Sequence, residues 1–453
     1  MSTWTNWSGN QSCRPARVAT PVGVDEVAQV MTDAARDGMR VKPIGAGHSF
    51  TAIGLTDGVQ VSLDAHSGLV AVDRASGRVR VRSGTRLFDL NALLDAQGLA
   101  MANLGDIDRQ SVAGALSTGT HGTGATLPGL AGLVEALEIV TPDGRVRRCD
   151  REQDPDLFHA ARVGLGALGI VTEVTLACVP AFRIEAREEP AVLGAVLTDL
   201  DEHVDAHDHF EMFWFPHTDR VLTKHNRRLA PGDTSGSALP RWRYLLDDQL
   251  LANGLFELSC RLASRVPVTT LPINAVASRA LSARTYTDRS HRVFASPRTV
   301  RFTESEYAVP RAALPDVLRE LDRFLERSGE RVAFPVEIRF AAPDDAWLST
   351  GYERANAYVA VHHYRTVDPR RYFTGFEQIV AAHDGRPHWG KMHTLGVERL
   401  RELYPRLPDV LRLRDELDPD RLLGNDYLTQ VLGGVMLRGR RVVPRGAAAA
   451  QVV

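Results

Sequence analysis

Residues Gly164-Leu165-Gly166-Ala167-Leu168-Gly169 repeat the G-x-G-x-x-G spacing of a dinucleotide fingerprint, but in the wrong setting. That fingerprint needs a strand before it and a helix after it, so that a pyrophosphate meets the helix N-terminus. Here residues 156–162 read as a helix and residues 170–177 as a strand of alternating apolar residues. The inverted order excludes a nicotinamide-binding wound sheet. Any nucleotide must be held by other loops.

The surrounding elements point to an α+β fold. Val24, Val27, Met31 and Ala34 recur at helical spacing, Gly38 stops that helix, and Val41-Lys42-Pro43-Ile44 reads as a short strand. Hairpins follow at residues 69–81, turning at Ala75-Ser76-Gly77, and at Pro142-Asp143-Gly144. A helix from Asp89 to Ala96 ends at Gly98. After Pro180 the texture changes to longer aromatic strands, such as residues 210–215, and clear helices, such as 311–327. A chain of 453 residues exceeds one ordinary core. The expected division is 10–182, 183–430 and a disordered tail at 436–453, with a surface loop at 229–239.

Composition narrows the partners. Fifty-four basic against fifty-six acidic residues leave a charge of -2, which gives no basic footprint for nucleic acid. Cys13, Cys149, Cys178 and Cys260 are widely spaced, arguing against a zinc site or a disulfide framework and suiting the cytoplasm. The N-terminus, with Trp4, Asn6 and Trp7, does not read as a signal peptide, and no apolar run reaches membrane-span length. Peripheral membrane attachment stays open.

Two further glycine loops carry the chemistry. Pro43 to Phe50 (PIGAGHSF) is a glycine-bracketed turn after a strand, with His48 on it. Gly114 to Gly124 alternates glycines with Ser117, Thr118, Thr120 and Thr123, a density of donors that suits a pyrophosphate or a sugar phosphate. Taken with His388-Trp389-Gly390-Lys391, these loops resemble the FAD-dependent aldonolactone oxidases of the vanillyl-alcohol-oxidase superfamily. The resemblance implies a PCMH-type FAD-binding domain followed by an antiparallel-sheet-plus-helices substrate (cap) domain. It implies that Ile44, Gly45, Ala46, Gly47, His48, Ser49 and Phe50 form the flavin-tethering loop, with FAD bound covalently through His48. A second pyrophosphate loop would take in Gly105, Asp106, Ser111, Val112, Gly114, Ala115, Thr118, Gly119, Thr120, His121 and Gly122. Gly169, Ile170 and Val171 would border the adenine side.

Val336-Glu337-Ile338-Arg339-Phe340 puts two charges on one strand face and three apolar residues on the other. From the residues alone this is a solvated edge with a weak ion pair. The resemblance instead places a Glu-x-Arg strand against the flavin and makes Glu337, Arg339, Lys391 and His362 catalytic. Ser111, Glu337, Arg339, Tyr364 and Lys391 would then touch substrate. His388 and His393 lack zinc-hydrolase spacing, so no metal is expected. The implied activity is oxidation of a sugar 1,4-lactone at its C2 hydroxyl, with oxygen or another acceptor reoxidising the flavin. The rivals are an alditol oxidase acting on an open-chain polyol, a nicotinamide-fed flavin reductase, and a sugar-nucleotide-binding module without flavin.

Overall fold

Period-two alternation sets the architecture of the second half of the chain. The computed structural model describes residues 3–239, 254–296 and 299–434. Eight antiparallel strands form one sheet, in the order Arg284–Arg289, Arg183–Val192, Arg220–Arg228, His209–Trp214, Val336–Ala341, Asn356–Tyr364, Phe302–Pro310 and Arg386–Pro387. Its register aligns Glu211 with Arg339, Glu337 with Ala360 and Glu304 with His362. Successive side chains on a strand point to opposite faces, so one face collects these charged residues. The other collects Met212, Trp214, Val336, Ile338, Phe340 and Val359, all buried.

That apolar face packs against two helices, Leu314–Ser328 and Arg370–Ala381. The first places Leu314, Val317, Leu318, Leu321 and Leu325 on one stripe and ends at Gly329, whose φ is +70°. Each such side chain contributes about 1.5–3 kcal/mol on burial. Residues 311–313, expected within this helix, form a 3₁₀ turn before it.

The first half contains two smaller sheets. Arg17–Ala19, Val59–Ser62 and Val41–Ile44 are parallel, and the helix Val24–Arg36 buries Val27, Met31 and Ala34 beside them. A six-stranded antiparallel sheet contains both expected hairpins, with Ile170–Pro180 at its centre. The helix Pro155–Ala161 does precede the third glycine loop, and this strand follows it. Val140 and Ile170 of this sheet join Val27, Val41 and Val59 in one core, which fixes the two sheets together. The chain passes from this part into the eight-stranded sheet between Pro180 and Arg183.

The C-terminal segment returns to the first half. Asn425 donates from Nδ2 to the carbonyls of Ala52, Ile53 and Leu55 at 3.0–3.1 Å, and the helix Asp426–Leu432 buries Tyr427, Leu428 and Val431 there. The tail expected at 436–453 lies outside the described residues. No regular element occupies 229–239, as its lack of periodicity implies.

Candidate functional site

A cleft of about 1110 Å³, its open mouth included, runs between the two N-terminal sheets. The loop after Val41–Ile44 forms one wall, with Ile44, Gly45, Ala46, Gly47, His48 and Ser49 all lining it. Gly47 sits at φ +70°, and among the described residues nothing accepts a hydrogen bond from the backbone N–H groups of Ala46, Gly47, His48 and Ser49. Successive unsatisfied N–H groups around a left-handed residue make an anion-binding concavity. This run of donors fits a pyrophosphate.

The second loop enters the cleft through the short helix Val112–Ser117, whose N-cap Ser111 accepts from Gly114 N–H at 3.2 Å. A Cβ on Gly45 would stand 2.5 Å from Ser111 Oγ, so glycine is what lets the two loops touch. Helical periodicity then sorts the expected residues. Ser111, Gly114 and Thr118 face the cleft, whereas Val112 and Ala115 turn into the core. Gly169, Ile170 and Val171 line the far end with Gly164, Leu165 and Gly166.

The remaining expected contacts of the second loop lie off the cleft lining. Gly105, Gly119, Thr120 and Gly122 have structural surroundings instead: Thr120 Oγ1 accepts from Gln110, and a Cβ on Gly122 would meet Leu104 O at 2.3 Å. Asp106 reaches the charged sheet face and pairs with Arg339 at 3.3 Å. His121 does likewise, with Nε2 2.7 Å from Glu306 and its ring stacked on Tyr358. Phe50 is buried beneath Lys391, whose ammonium lies 5.3 Å from the ring centroid.

That sheet face is a connected set of charges. Arg339 pairs with Glu337, with Glu211 at 3.1 Å and with Asp106. Burial by itself would lower the guanidinium's pKa, but Glu337, Asp106 and Glu211 outweigh it and raise it well above the usual value. Glu211 also holds Lys224 at 3.1 Å. Lys391 pairs with Glu304 and lies 3.8 Å from Glu306; burial opposes its charge, and these carboxylates restore it. Burial pushes Glu306 up, yet His121, His388 and Lys391 hold it well below the usual carboxylate range. His362 Nε2 lies 3.6 Å from Glu304, so it joins Lys391 through a shared partner. Tyr364 instead donates its hydroxyl to Glu257 at 2.7 Å, within an aromatic cluster containing Phe50 and Phe302.

Cleft and charges meet at the two loops first singled out. Phe50 N–H donates to Gly390 O at 2.7 Å, and Thr51 Oγ1 to Trp389 O at 3.3 Å. Trp389 points away into the core, its Nε1 donating to Leu348 O. Lys391 is close enough to His48 that, after burial, it is the main reason His48 is held near pH 4. His48 is therefore a neutral imidazole, stacked on Trp7 at 5.5 Å.

Residues 174–431 match the family model described as D-arabinono-1,4-lactone oxidase, and residues 15–150 match an FAD binding domain. The chain belongs to the D-arabinono-1,4-lactone oxidase family. It is an FAD-dependent oxidoreductase. Similar members include L-gulono-1,4-lactone dehydrogenase of Mycobacterium tuberculosis, 40% identical and covering 95% of this chain and 99% of that one. L-gulonolactone oxidase of Mus musculus is 32% identical over 94% and 97%. Alditol oxidase of Streptomyces sp. is 33% identical over 95% and 99%. The fold is shared with cholesterol oxidase from Brevibacterium sterolicum, at a TM-score of 0.73 and 18% identity, covering 95% and 96% of the two chains.

Several cleft residues escape the sequence reading. Trp4, Lys42, Asp64, Ser83 and Gly84 line it, and Lys42 donates to Leu423 O at 3.2 Å, its pKa lowered to about 7 by burial and by Arg414. Glu304 and Glu306 had a weaker signal: two carboxylates at i and i+2 as in Glu337 and Arg339, but beside the polar Thr303 and Ser305 instead of apolar residues. Glu211 had the signal of a lone carboxylate in an aromatic strand, whereas Lys224, in a strand with Arg220, Arg227 and Arg228, had none. His121, Glu306 and His388 are the group among the described residues whose potential ligand atoms lie within 4.8 Å of one another. The 2.7 Å His121–Glu306 contact fills that space with a hydrogen bond.

Acid should unfold this family member early. His48, His209, His363, His388 and His393 are held near pH 4, in each case chiefly by burial. Unfolded histidine titrates near 6.5, so between roughly pH 6.5 and 4 the unfolded chain binds protons that the native chain refuses. Stability is complete above that window and falls as pH drops through it, by several kcal/mol on the order of the linkage relation. Urea midpoints at pH 7 and pH 5 should differ strongly; equal midpoints would contradict the neutral histidines.

Proposed function

We propose that the protein oxidises a sugar 1,4-lactone of the L-gulono or D-arabinono type at its C2 hydroxyl. The supporting observation is the ion-paired group of Arg339, Glu337, Asp106 and Lys391, with Glu337 buried and the other three half-buried, adjoining the loop that carries His48. Residues Ala46 to Ser49 would hold the pyrophosphate of FAD, with Ser111 and Thr118 on the facing loop. Bound FAD supplies the acceptor for the hydride leaving C2. Lys391 Nζ and the Arg339 guanidinium, both kept cationic by their carboxylates, donate to the C2 oxygen and stabilise its alkoxide character. Glu337 accepts hydrogen bonds from neighbouring substrate hydroxyls and orients the ring. Oxygen or another acceptor completes turnover, and the four free cysteines fit a cytoplasmic setting. In this reading, residues 10–182 bind the cofactor and 183–430 the substrate.

Anaerobic mixing with a panel of gulonolactone, arabinonolactone and xylitol tests the substrate. Bleaching by lactones faster than by xylitol is expected. The reverse order would assign an alditol oxidase, which the Streptomyces relative keeps in view. Bleaching by NADPH but not by lactone would overturn both.

FAD is covalently attached at His48 in this proposal. The neutral imidazole has a free nitrogen lone pair, stands in the cleft, and is braced by Trp7. Acid-precipitated protein is expected to stay yellow, and His48→Ala to release its flavin into the supernatant. Complete release from the unaltered protein would remove the covalent bond from the proposal.

A further inference from the structure

Oxidation of a C2 hydroxyl releases a proton as well as a hydride. Bound FAD takes the hydride, so the proton needs a second acceptor. The groups around Lys391 are buried, which makes that acceptor a protein side chain. Glu304, Glu306 and His362 are each less than 9% exposed, and Phe302 and Phe334 flank His362 with ring centroids at 4.9 and 6.0 Å.

Of the two cations assigned to the C2 oxygen, Lys391 alone can pass a proton on. The Arg339 guanidinium is not deprotonated in proteins, so the carboxylates Glu337, Glu211 and Asp106 hold its charge and receive nothing from it. An ammonium can lend one of its three protons. Lys391 Nζ has two carboxylates where one would keep it cationic: Glu304 in direct contact and Glu306 at 3.8 Å.

These two carboxylates are not equivalent. Glu306 is pinned, with Oε1 2.7 Å from His121 Nε2. The other ring nitrogen of His121 lies 2.9 Å from Gly122 O, and the ring stacks on Tyr358 at 3.6 Å. Glu304 has a looser second partner. His362 Nε2 is 3.6 Å away, longer than an ordinary hydrogen bond, while its Nδ1 lies 3.3 Å from Pro335 O. Burial pushes the Glu304 carboxyl up, and the charges of Lys391 and His362 bring it below its usual value.

Resting on the alcohol-oxidation reading, we propose that Glu304 receives the hydroxyl proton of each turnover through Lys391. As the hydride leaves C2, the O–H proton passes to Lys391 Nζ and one Nζ proton passes to Glu304 Oε2. The electron pair of the broken O–H bond closes the C2=O double bond. Lys391 ends as it began, an ammonium, and Glu304 ends as a neutral acid. Glu306, pinned by His121, keeps a negative charge beside the ammonium throughout. His362, on the other side of Glu304, is the next carrier outward. Glu304 acts through Lys391 and is a positioning residue.

Glu304→Gln tests this, because the amide keeps an oxygen for the ammonium and cannot store the proton. Anaerobic reduction of the flavin-loaded variant by gulonolactone should be about 10²-fold slower at pH 7. It should then speed up by about tenfold per pH unit toward pH 9, as hydroxide supplies the missing base, while the parent stays nearly flat. Glu304→Asp, which restores a carboxylate, should regain the flat profile. Half-saturating lactone concentration and melting temperature should match the parent in both variants, which separates a lost relay from a disturbed fold. In the parent itself, deuterium oxide should slow the reduction step, since two exchangeable protons move in it. A Glu304→Gln variant as fast as the parent, or slowed by one factor at every pH, would overturn the relay, as would a parent indifferent to deuterium oxide. A parent that neither lactone nor polyol reduces would instead remove the alcohol-oxidation reading.

Discussion

Replacing Lys391 by methionine should slow flavin reduction by lactone about 10²–10³-fold while the protein keeps its colour. The ammonium is held cationic by Glu304 and Glu306 and lies against the loop that bears His48. Methionine retains the stem that covers Phe50 and removes only the charge. The carboxylates left behind are not stranded, since Glu304 keeps His362 and Glu306 keeps His121 and His388. The loss should therefore fall on the chemical step and not on folding. Arg339 is a poorer probe. Its removal would take one shared cation away from Glu337, Glu211 and Asp106 together, and breaking a buried pair typically costs about 3–5 kcal/mol. Stopped-flow bleaching under anaerobic conditions measures the rate directly. A Lys391→Met protein reduced as fast as its parent would take this residue out of the oxidation step.

What the sequence disclosed follows from how far each signal reaches along the chain. Hairpins at Ala75-Ser76-Gly77 and Pro142-Asp143-Gly144, the helix 24–36 and the inverted setting of Gly164–Gly169 are local patterns, and all are legible. The alternation in Val336–Phe340 correctly puts Glu337 and Arg339 on one face, but alternation does not say what that face meets. Asp106, Glu211 and Glu306 come to it from three distant parts of the chain, joined by strand register and loop packing. Long-range pairing of this kind leaves no spacing to read. Trp7 shows the same limit. As sequence it argued only about signal peptides, whereas in the fold it stacks on His48. In the second glycine loop a helix starting at Val112 presents Gly114 and Thr118 to the cleft and Val112 and Ala115 to the core, a division that the glycine spacing does not disclose. Trp389, beside Lys391 in sequence, is likewise a core residue, and the aromatic under the ammonium is Phe50.

Gly84→Ala should abolish the fold of the cofactor-binding half, although the change is a single methyl group. Gly84 lies between the strand Arg78–Arg82 and the helix Leu87–Ala96, on the cleft lining. A Cβ there would stand 1.8 Å from Leu63 O, 2.6 Å from the Leu63 carbonyl carbon and 2.7 Å from His66 O. All three obstacles are backbone, so no rotamer change relieves them. Moving Leu63 would pull on the strand Val59–Ser62, which is the middle of the three-stranded sheet and pairs with the strand leading into the His48 loop. Moving Gly84 would break its own N–H bond to His66 O and displace Ser83, whose hydroxyl donates to Val171 O at 2.6 Å in the neighbouring strand of the same sheet. Either shift separates the two sheets that share the Val27, Val59 and Ile170 core. The cost should exceed about 4–5 kcal/mol, a large part of the stability of an ordinary domain. Insoluble or flavin-free protein is the expected result. Gly194→Ala is the matched control: it lies in the helix Leu193–Thr198 with nothing within 4 Å of the added carbon, and helix propensity predicts a gain of up to about 1 kcal/mol. Soluble, yellow Gly84→Ala protein melting like the Gly194→Ala control would mean that Leu63 and Gly84 are not in contact, and that the cleft is not walled by this pair of sheets.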